Sequence, residues 1–301
     1  MPRSHPVALL LLAVAGALAL TPQGAGAAPL AVVTSTTVLA DLARQVGGGT
    51  AQVLPIAPAG ADPHTFQPSP DSMRTLARAR IVFFNGAGLE EWWTKAIKAI
   101  ASKDTPVVEL SRGLATLKHP GDNNGHAGGV DPHVWLDPTN VMVFVERIRD
   151  TLTKADPGNA AAYADRAKAY LAQLDELDRW IRAQVEQVPR ERRKIVTFHN
   201  TFQYFAARYG FAVKGYIVAS PGKEPSAKGL ADLVRRIRQE RIPAVFTEAG
   251  FNPKMLESLA REAGVKVVTD LHDASLTDGP PADTYLNMMR HNVIQIVGAL
   301  K

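Results

Sequence analysis

Residues 159–188 contain neither glycine nor proline. Within them apolar side chains recur at Tyr163, Ala167, Tyr170, Leu171, Leu174, Leu177, Ile181, Val185 and Val188. Steps of three and four place these residues on one face of a helix. Pro157 suits the first turn of such a helix, because its missing N–H is not needed there. Pro189 stops it, because proline cannot continue the ladder. Thirty helical residues at ~1.5 Å each make a rod of roughly 45 Å. That is longer than most domain helices, so the rest of the chain must be arranged around it.

Short apolar runs alternate with helical patterns on both sides of the rod. Before it come "LAVVTS" (30–35), the helix pattern "TVLADLARQVG" (37–47), "AQVLPIA" (51–57), "ARIVFFNG" (79–86) and "TPVVEL" (105–110). After it come "KIVTFHN", "FAVKGYIV", "PAVFTEAG" and "VKVVTDL". Strands alternating with helices predict parallel sheets covered on both faces. The 301 residues, 46% of them hydrophobic, suffice for one large domain or two medium ones. The organisation expected is α/β: an N-terminal lobe over 29–157, a linker helix over 158–188 and a C-terminal lobe over 189–301. A single larger α/β domain carrying one long helix is the alternative.

The first 28 residues read as a separate device. A short basic start precedes an apolar run over 7–20, and Ala25-Gly26-Ala27 supplies a small-residue site. That layout predicts a secretory signal peptide cut near Ala27 or Ala28. The run is too short to span a bilayer comfortably. The chain has no cysteine, so it has no disulfide and no thiol on which to place a lipid anchor. The expectation is an unanchored periplasmic protein. The net charge of +5 is spread along the chain rather than blocked, which gives no footprint for nucleic acid.

Histidine is scarce, with eight in the chain, yet the tripeptide Asp-Pro-His occurs twice, at His64 and His133. Each proline fixes the local backbone, and each aspartate could hold the imidazole of its histidine. A ring nitrogen held by a carboxylate is a common arrangement for metal ligands. One such tripeptide alone reads more simply as a turn; two shift the reading toward ligands. His199 ends an apolar strand, and open parallel sheets bind ligands at carboxyl strand ends. A fourth donor could come from Asp270, His272 or Asp273 beyond the last strand, or from Glu248 at another strand end. Three imidazoles and one carboxylate suit tetrahedral zinc. His119 and His126 lie in a Gly/Asn-rich loop as linker residues or weak metal collectors, His5 leaves with the signal, and His291 reads as structural.

Taken together, these segments resemble the zinc- and manganese-binding solute receptors of bacterial ABC importers. The resemblance rests on "TSTTVLADLARQVGG", "GADPHTFQPSP", "NGAGLEEW", "DPHVWLDP", "VFTEAGFNPKMLESLAREAGVKV" and "DTYLNMMRHNV", and covers essentially the whole mature chain. It implies His64, His133 and His199 as metal ligands, with histidine at 199 characteristic of zinc members and glutamate of many manganese ones. It places the fourth ligand at Asp273. Ala274 interrupts the commoner Asp-Ser-Leu order, which keeps Asp270 as a fallback. The function implied is a monomeric receptor that carries Zn2+ to a membrane permease with its ATPase, with no catalytic residues.

A zinc-dependent hydrolase would need an open coordination position. The sequence has no His-Glu-x-x-His helix and no nucleophile signature. A receptor for a chelated metal would call for an aromatic-lined cleft, and only 7% of the residues are aromatic. A surface adhesin would need an anchor.

Overall fold

The computed structural model describes residue 1 and residues 28–90, 93, 96–97, 104–119, 129–219, 221–222 and 224–301. The signal segment and His126 lie outside the described residues. Strand β1 (Leu30–Thr34) runs parallel to β2 (Ala51–Pro55) on one side and β3 (Ile81–Phe84) on the other. Strand β4 (Val107–Glu109) joins β3, giving the sheet order β2-β1-β3-β4. Successive residues of a strand point to opposite faces. Accordingly Val32 faces the main core and Val33 a smaller outer core with Val82 and Leu76. Burial on both faces is why β1 is continuously apolar rather than alternating.

The turn after β1 begins α1 (Thr37–Gly47), where the Thr36 hydroxyl accepts from the Leu39 amide at 3.3 Å. This cap satisfies one of the amides that a helix start leaves orphaned. Helix α2 (Pro70–Ala77) follows the first histidine loop, and α3 (Pro138–Ala155) starts at Asp137, whose carboxylate accepts from the Thr139 amide at 2.8 Å.

The long rod is α4 (Ala160–Val185), 26 residues entered through a 3-10 turn over Pro157–Asn159. It spans roughly 39 Å at ~1.5 Å per residue. It ends a few residues before the proline that the sequence marks as its stop. Its buried face carries Tyr163, Ala167, Tyr170, Leu174, Leu177, Ile181 and Val185, as the periodicity predicts, and packs on α1 and α3. It also buries Asp178, which the apolar pattern does not include. That carboxylate accepts from Arg208 at 2.9 Å and from the Tyr209 hydroxyl at 2.8 Å, fixing α5 (Gln203–Tyr209) to the rod.

Beyond α4, β5 (Lys194–His199) pairs parallel with β6 (Ala212–Val218), and β7 (Ala244–Glu248) pairs parallel with β8 (Lys266–Leu271). Strands β5 and β7 lie side by side. Helices α6 (Ala227–Gln239) and α7 (Lys254–Ala263) close a second core over Val196, Val245, Leu233 and Leu259. The C-terminal α8 (Tyr285–Leu300) returns to the rod. The largest core cluster therefore runs through both halves of the chain, from Val32 to Leu300, with α4 at its centre. Among the described residues no helix is long and apolar enough to cross a membrane.

Leu174 is fully buried at the middle of the rod. Truncating such a leucine removes its transfer free energy and leaves a cavity, at a cost of about 2–5 kcal/mol. Leu174→Ala is expected to lower unfolding stability by that amount in a denaturant titration, and Leu171→Ala, at a half-buried position, by clearly less.

Candidate metal centre

The carboxyl ends of β2, β5, β7 and β8 converge with the segment preceding α3. The loop leaving β2 carries His64. Asp62 orders that loop, because its carboxylate accepts from the His64 amide at 2.9 Å and from the Thr65 hydroxyl at 3.0 Å. Here the aspartate of Asp-Pro-His fixes the backbone and leaves the ring to other contacts.

The second copy works differently. Asp131 is wholly buried, and one carboxylate oxygen accepts from the His133 amide at 3.0 Å and from ring Nδ1–H at 2.8 Å. Its other oxygen accepts from Gln203 Nε2 at 2.8 Å, and its main-chain oxygen accepts from the Tyr204 hydroxyl at 2.8 Å. With Nδ1 carrying the proton, His133 presents the lone pair of Nε2 to the site.

His199 is the last residue of β5. Its Nε2 stands 3.4 Å from His133 Nε2 and 3.4 Å from Asp273 Oδ2, while its Nδ1 faces Glu248 Oε1 at 3.5 Å. His64 Nε2 and His133 Nε2 are 3.1 Å apart. The three imidazoles form one group of donors, and Asp273 and Glu248 form a second with His199, so the two groups share His199. His133 and His199 are buried, Asp273 nearly so, and His64 is half-buried.

The segment around Asp273 is tied to the first half of the chain. Trp135 Nε1 donates to the Asp273 main-chain oxygen, Ser275 Oγ accepts from the Gly60 amide at 2.8 Å, and Thr37 Oγ1 accepts from the Leu276 amide at 2.8 Å. The elements that carry His64 and His133 are therefore locked to those that carry Asp273.

Of the two aspartates left open by the sequence, Asp273 stands in this cluster. Asp270 does not: its side chain is 54% exposed and points to His272 and His291 instead. Its position on β8 directs the side chain outward, away from His199. Glu248 was one candidate for the fourth donor, but it occupies the place behind His199. The sequence marks both residues as strand ends, but that the two strands lie side by side is visible only in the structure. Gln203, Tyr204 and Trp135 carry no such signal, since they act through contacts between distant segments.

Charge in the cluster is unbalanced. Asp273 Oδ2, His199 Nδ1 and both Glu248 carboxylate oxygens are buried without a hydrogen-bond partner in the chain. Burial and the neighbouring imidazoles hold His64 and His133 well below the usual histidine range. Burial pushes the Asp131 carboxyl up to about 6. Burial also opposes a charge on His199, but the carboxylates of Glu248, Asp273 and Asp62 outweigh it and raise that ring to about 9. The surrounding acidic groups thus favour a proton on His199, while burial disfavours one on His64 and His133. A cation placed there would take over the role of that proton.

Residues 32–299 match the family described as zinc-uptake complex component A, periplasmic (ZnuA). The chain belongs to this family. It is thus a metal-binding periplasmic solute-binding protein of the ABC-importer class, which works with a membrane permease and an ATPase. It is 35% identical over 272 residues to the manganese-binding lipoprotein MntA of Halalkalibacterium halodurans, covering 90% of this chain and 88% of that one. It is 27% identical over 277 residues to the manganese ABC transporter substrate-binding lipoprotein PsaA of Streptococcus anginosus, covering 90% and 89%. The periplasmic zinc-binding protein TroA of Treponema pallidum has the same fold, with a TM-score of 0.83 at 30% identity over 91% of this chain and 99% of that one.

These relatives are receptors of ABC transporters and not enzymes, which removes the hydrolase alternative. They also overturn one expectation. MntA, PsaA and the streptococcal relative SloC are named lipoproteins, in conflict with an unanchored periplasmic chain. That expectation rested on the absence of one residue type, which is weaker ground than the naming of these relatives.

The His199 charge generates a test. His199, raised above the ordinary value of about 6.5, stabilises the metal-free fold fully below that pH and loses its contribution as pH climbs through about 9. His64 and His133, lowered, contribute above about 6.5 and lose it as pH falls. Metal-free protein should therefore show a stability fall on the alkaline side that His199→Gln abolishes. In histidine-selective NMR titrations, Glu248→Gln should move the most basic ring back toward the ordinary range. A ring that stays near its wild-type value in that variant would show that Glu248 is not its partner.

Proposed function

We propose that the chain is a zinc receptor: His64, His133, His199 and Asp273 hold one Zn2+, which the protein presents to its importer. The reading rests on one observation, the meeting of three imidazole Nε2 atoms at 3.1 and 3.4 Å with a buried, unpartnered carboxylate oxygen 3.4 Å from His199. Zn–N bonds of about 2.0–2.1 Å in a tetrahedron put neighbouring ligand atoms about 3.4 Å apart, so the spacing suits the ion with little rearrangement. Two donors precede the long helix and two follow it. The halves at 29–157 and 189–301 act as the lobes that an ion joins. Four protein ligands leave no coordinated water to ionise, in keeping with carriage rather than chemistry.

Position 199 supports zinc over manganese. Three nitrogen donors favour zinc, whereas sites richer in carboxylate suit manganese, and manganese lies well below zinc in the affinity order of divalent ions. Two observations favour the manganese reading: the relatives named manganese-binding, and the Glu248 carboxylate, whose oxygen lies within 4.8 Å of donor atoms of His199 and Asp273. If Glu248 turned to the ion, the site would gain a second carboxylate.

Competition calorimetry separates the two. A zinc receptor should bind one Zn2+ far more tightly than Mn2+, and comparable affinities would sink the zinc reading. At pH 7.5 zinc uptake should release about one proton, because the ion displaces the charge held on His199; enthalpies measured in buffers of different ionisation heat give that number. Alanine at His64, His133, His199 or Asp273 should each abolish most of the zinc-induced rise in Tm, since binding stabilises by RT ln(1 + [L]/Kd). Asp131→Ala, which acts through His133, should weaken zinc by roughly 10–100-fold, less than loss of a ligand.

A further inference from the structure

A second group of donors lies on the surface of the C-terminal half, formed by Asp270 and His272 beside His291 of α8. We propose that Asp270, His272 and His291 form a second, outward-facing site for a borderline divalent ion of the zinc class, separate from the central cluster. His272 Nε2 is 3.4 Å from Asp270 Oδ1, and His291 Nε2 is 3.1 Å from Asp270 Oδ2. One donor atom from each residue lies within 4.8 Å of the others. Two imidazoles and a carboxylate are a donor set for zinc, copper or nickel rather than for magnesium or calcium.

The group is built rather than casual. His272 is buried to 7% exposure, and its Nε2 has no hydrogen-bond partner, although it points at the Asp270 carboxylate. A buried imidazole nitrogen left unpaired costs free energy that an ion would recover. The backbone of His272 is held from the same helix that supplies His291. Asn292, 1% exposed, accepts from the His272 amide through Oδ1 at 2.8 Å and donates through Nδ2 to the His272 oxygen. That clamp sets the two rings at a centroid distance of 5.4 Å and 63°.

The bland account is a staple between β8 and α8, in which His291 Nε2 donates to the Asp270 main-chain oxygen at 2.7 Å. It explains His291 but leaves His272 Nε2 with only the 3.4 Å approach of Asp270 Oδ1. Three protein donors leave coordination positions open to water, so this site should exchange its ion more readily than the central one. It also adjoins the centre: His272 lines the same cavity as His199 and Asp273.

The test uses untagged protein stripped with chelator, zinc titration by calorimetry, and diffraction at the zinc edge from crystals soaked in zinc. Wild type should take up a tight equivalent and a second, weaker one, with an anomalous peak among Asp270, His272 and His291. Asp270→Asn and His291→Gln should each lose the weaker equivalent and keep the tight one unchanged. Because Asp270 is exposed, its variant should fold even if His291→Gln does not. His64→Ala should do the reverse, losing the tight equivalent and keeping the weak one, so a failed central reading remains distinct from a failed second site. A single equivalent in wild type with no peak at the cluster would overturn the proposal, as would a second equivalent that survives both substitutions.

Discussion

The carboxylate of Asp131 is gripped from both halves of the chain, and the geometry of the centre depends on it. It accepts from two of the three nitrogens of His133, the amide and the ring Nδ1, while Gln203 and Tyr204 of α5 hold the rest of the residue. The helix that supplies those two side chains is itself fixed to the long rod through Asp178 and Arg208. Burial makes this carboxyl reluctant to ionise, and its bonds to His133 and Gln203 counter that. The result is an imidazole with one allowed tautomer, aimed before any ion arrives. Preorganisation of this kind reduces the ordering cost of binding.

Around that fixed ring the protein concentrates groups that are expensive to bury alone. Glu248 and Asp273 have buried carboxylate oxygens that reach His199 only at 3.5 and 3.4 Å, and His199 carries a charge that burial opposes. A hydrophobic core of ordinary density would exclude all three. They persist because the large apolar cluster along α4, together with the clamps from Trp135, Thr37 and Ser275, holds the surrounding backbone in place. The stability of the fold is thus spent on a site that is electrostatically poor without a cation, and the cation recovers that deficit.

Much of this was legible in the sequence, for identifiable reasons. Regular features have regular periods: the rod shows itself through apolar steps of three and four, and β1, β5 and β7 through short β-branched runs ending in polar residues. The three histidines were legible because each sits at a strand end or beside a proline. What stayed hidden depends on distance in the chain. Asp178 breaks the apolar pattern of the rod and is explained only by Arg208 and Tyr209 across the fold. The choice between Asp270 and Asp273 turned on which way residues at and just beyond the end of β8 face, and a three-residue offset in an irregular segment reverses that. The two Asp-Pro-His copies look alike in sequence, yet one aspartate holds a ring and the other a backbone turn. The difference is burial: Asp131 is sealed under α5, while Asp62 lies in a half-exposed loop.

Metal preference then comes down to what stands behind His199. A carboxylate on Nδ1 makes the opposite nitrogen a stronger donor and fixes the ring. Glu248 is placed for that role, 3.5 Å from Nδ1, and its burial keeps water from competing. With Glu248 there, an ion held by His64, His133, His199 and Asp273 would meet three nitrogens and one oxygen. If it swung forward, the ion would meet a second carboxylate. Glu248 is the last residue of β7 and pairs with Leu271 after a register irregularity, so its main chain is anchored and a side-chain rotation alone would bring its carboxylate forward. What stands behind His199, as much as any single donor, therefore decides whether a divalent ion at this centre would meet mainly nitrogen or a second carboxylate.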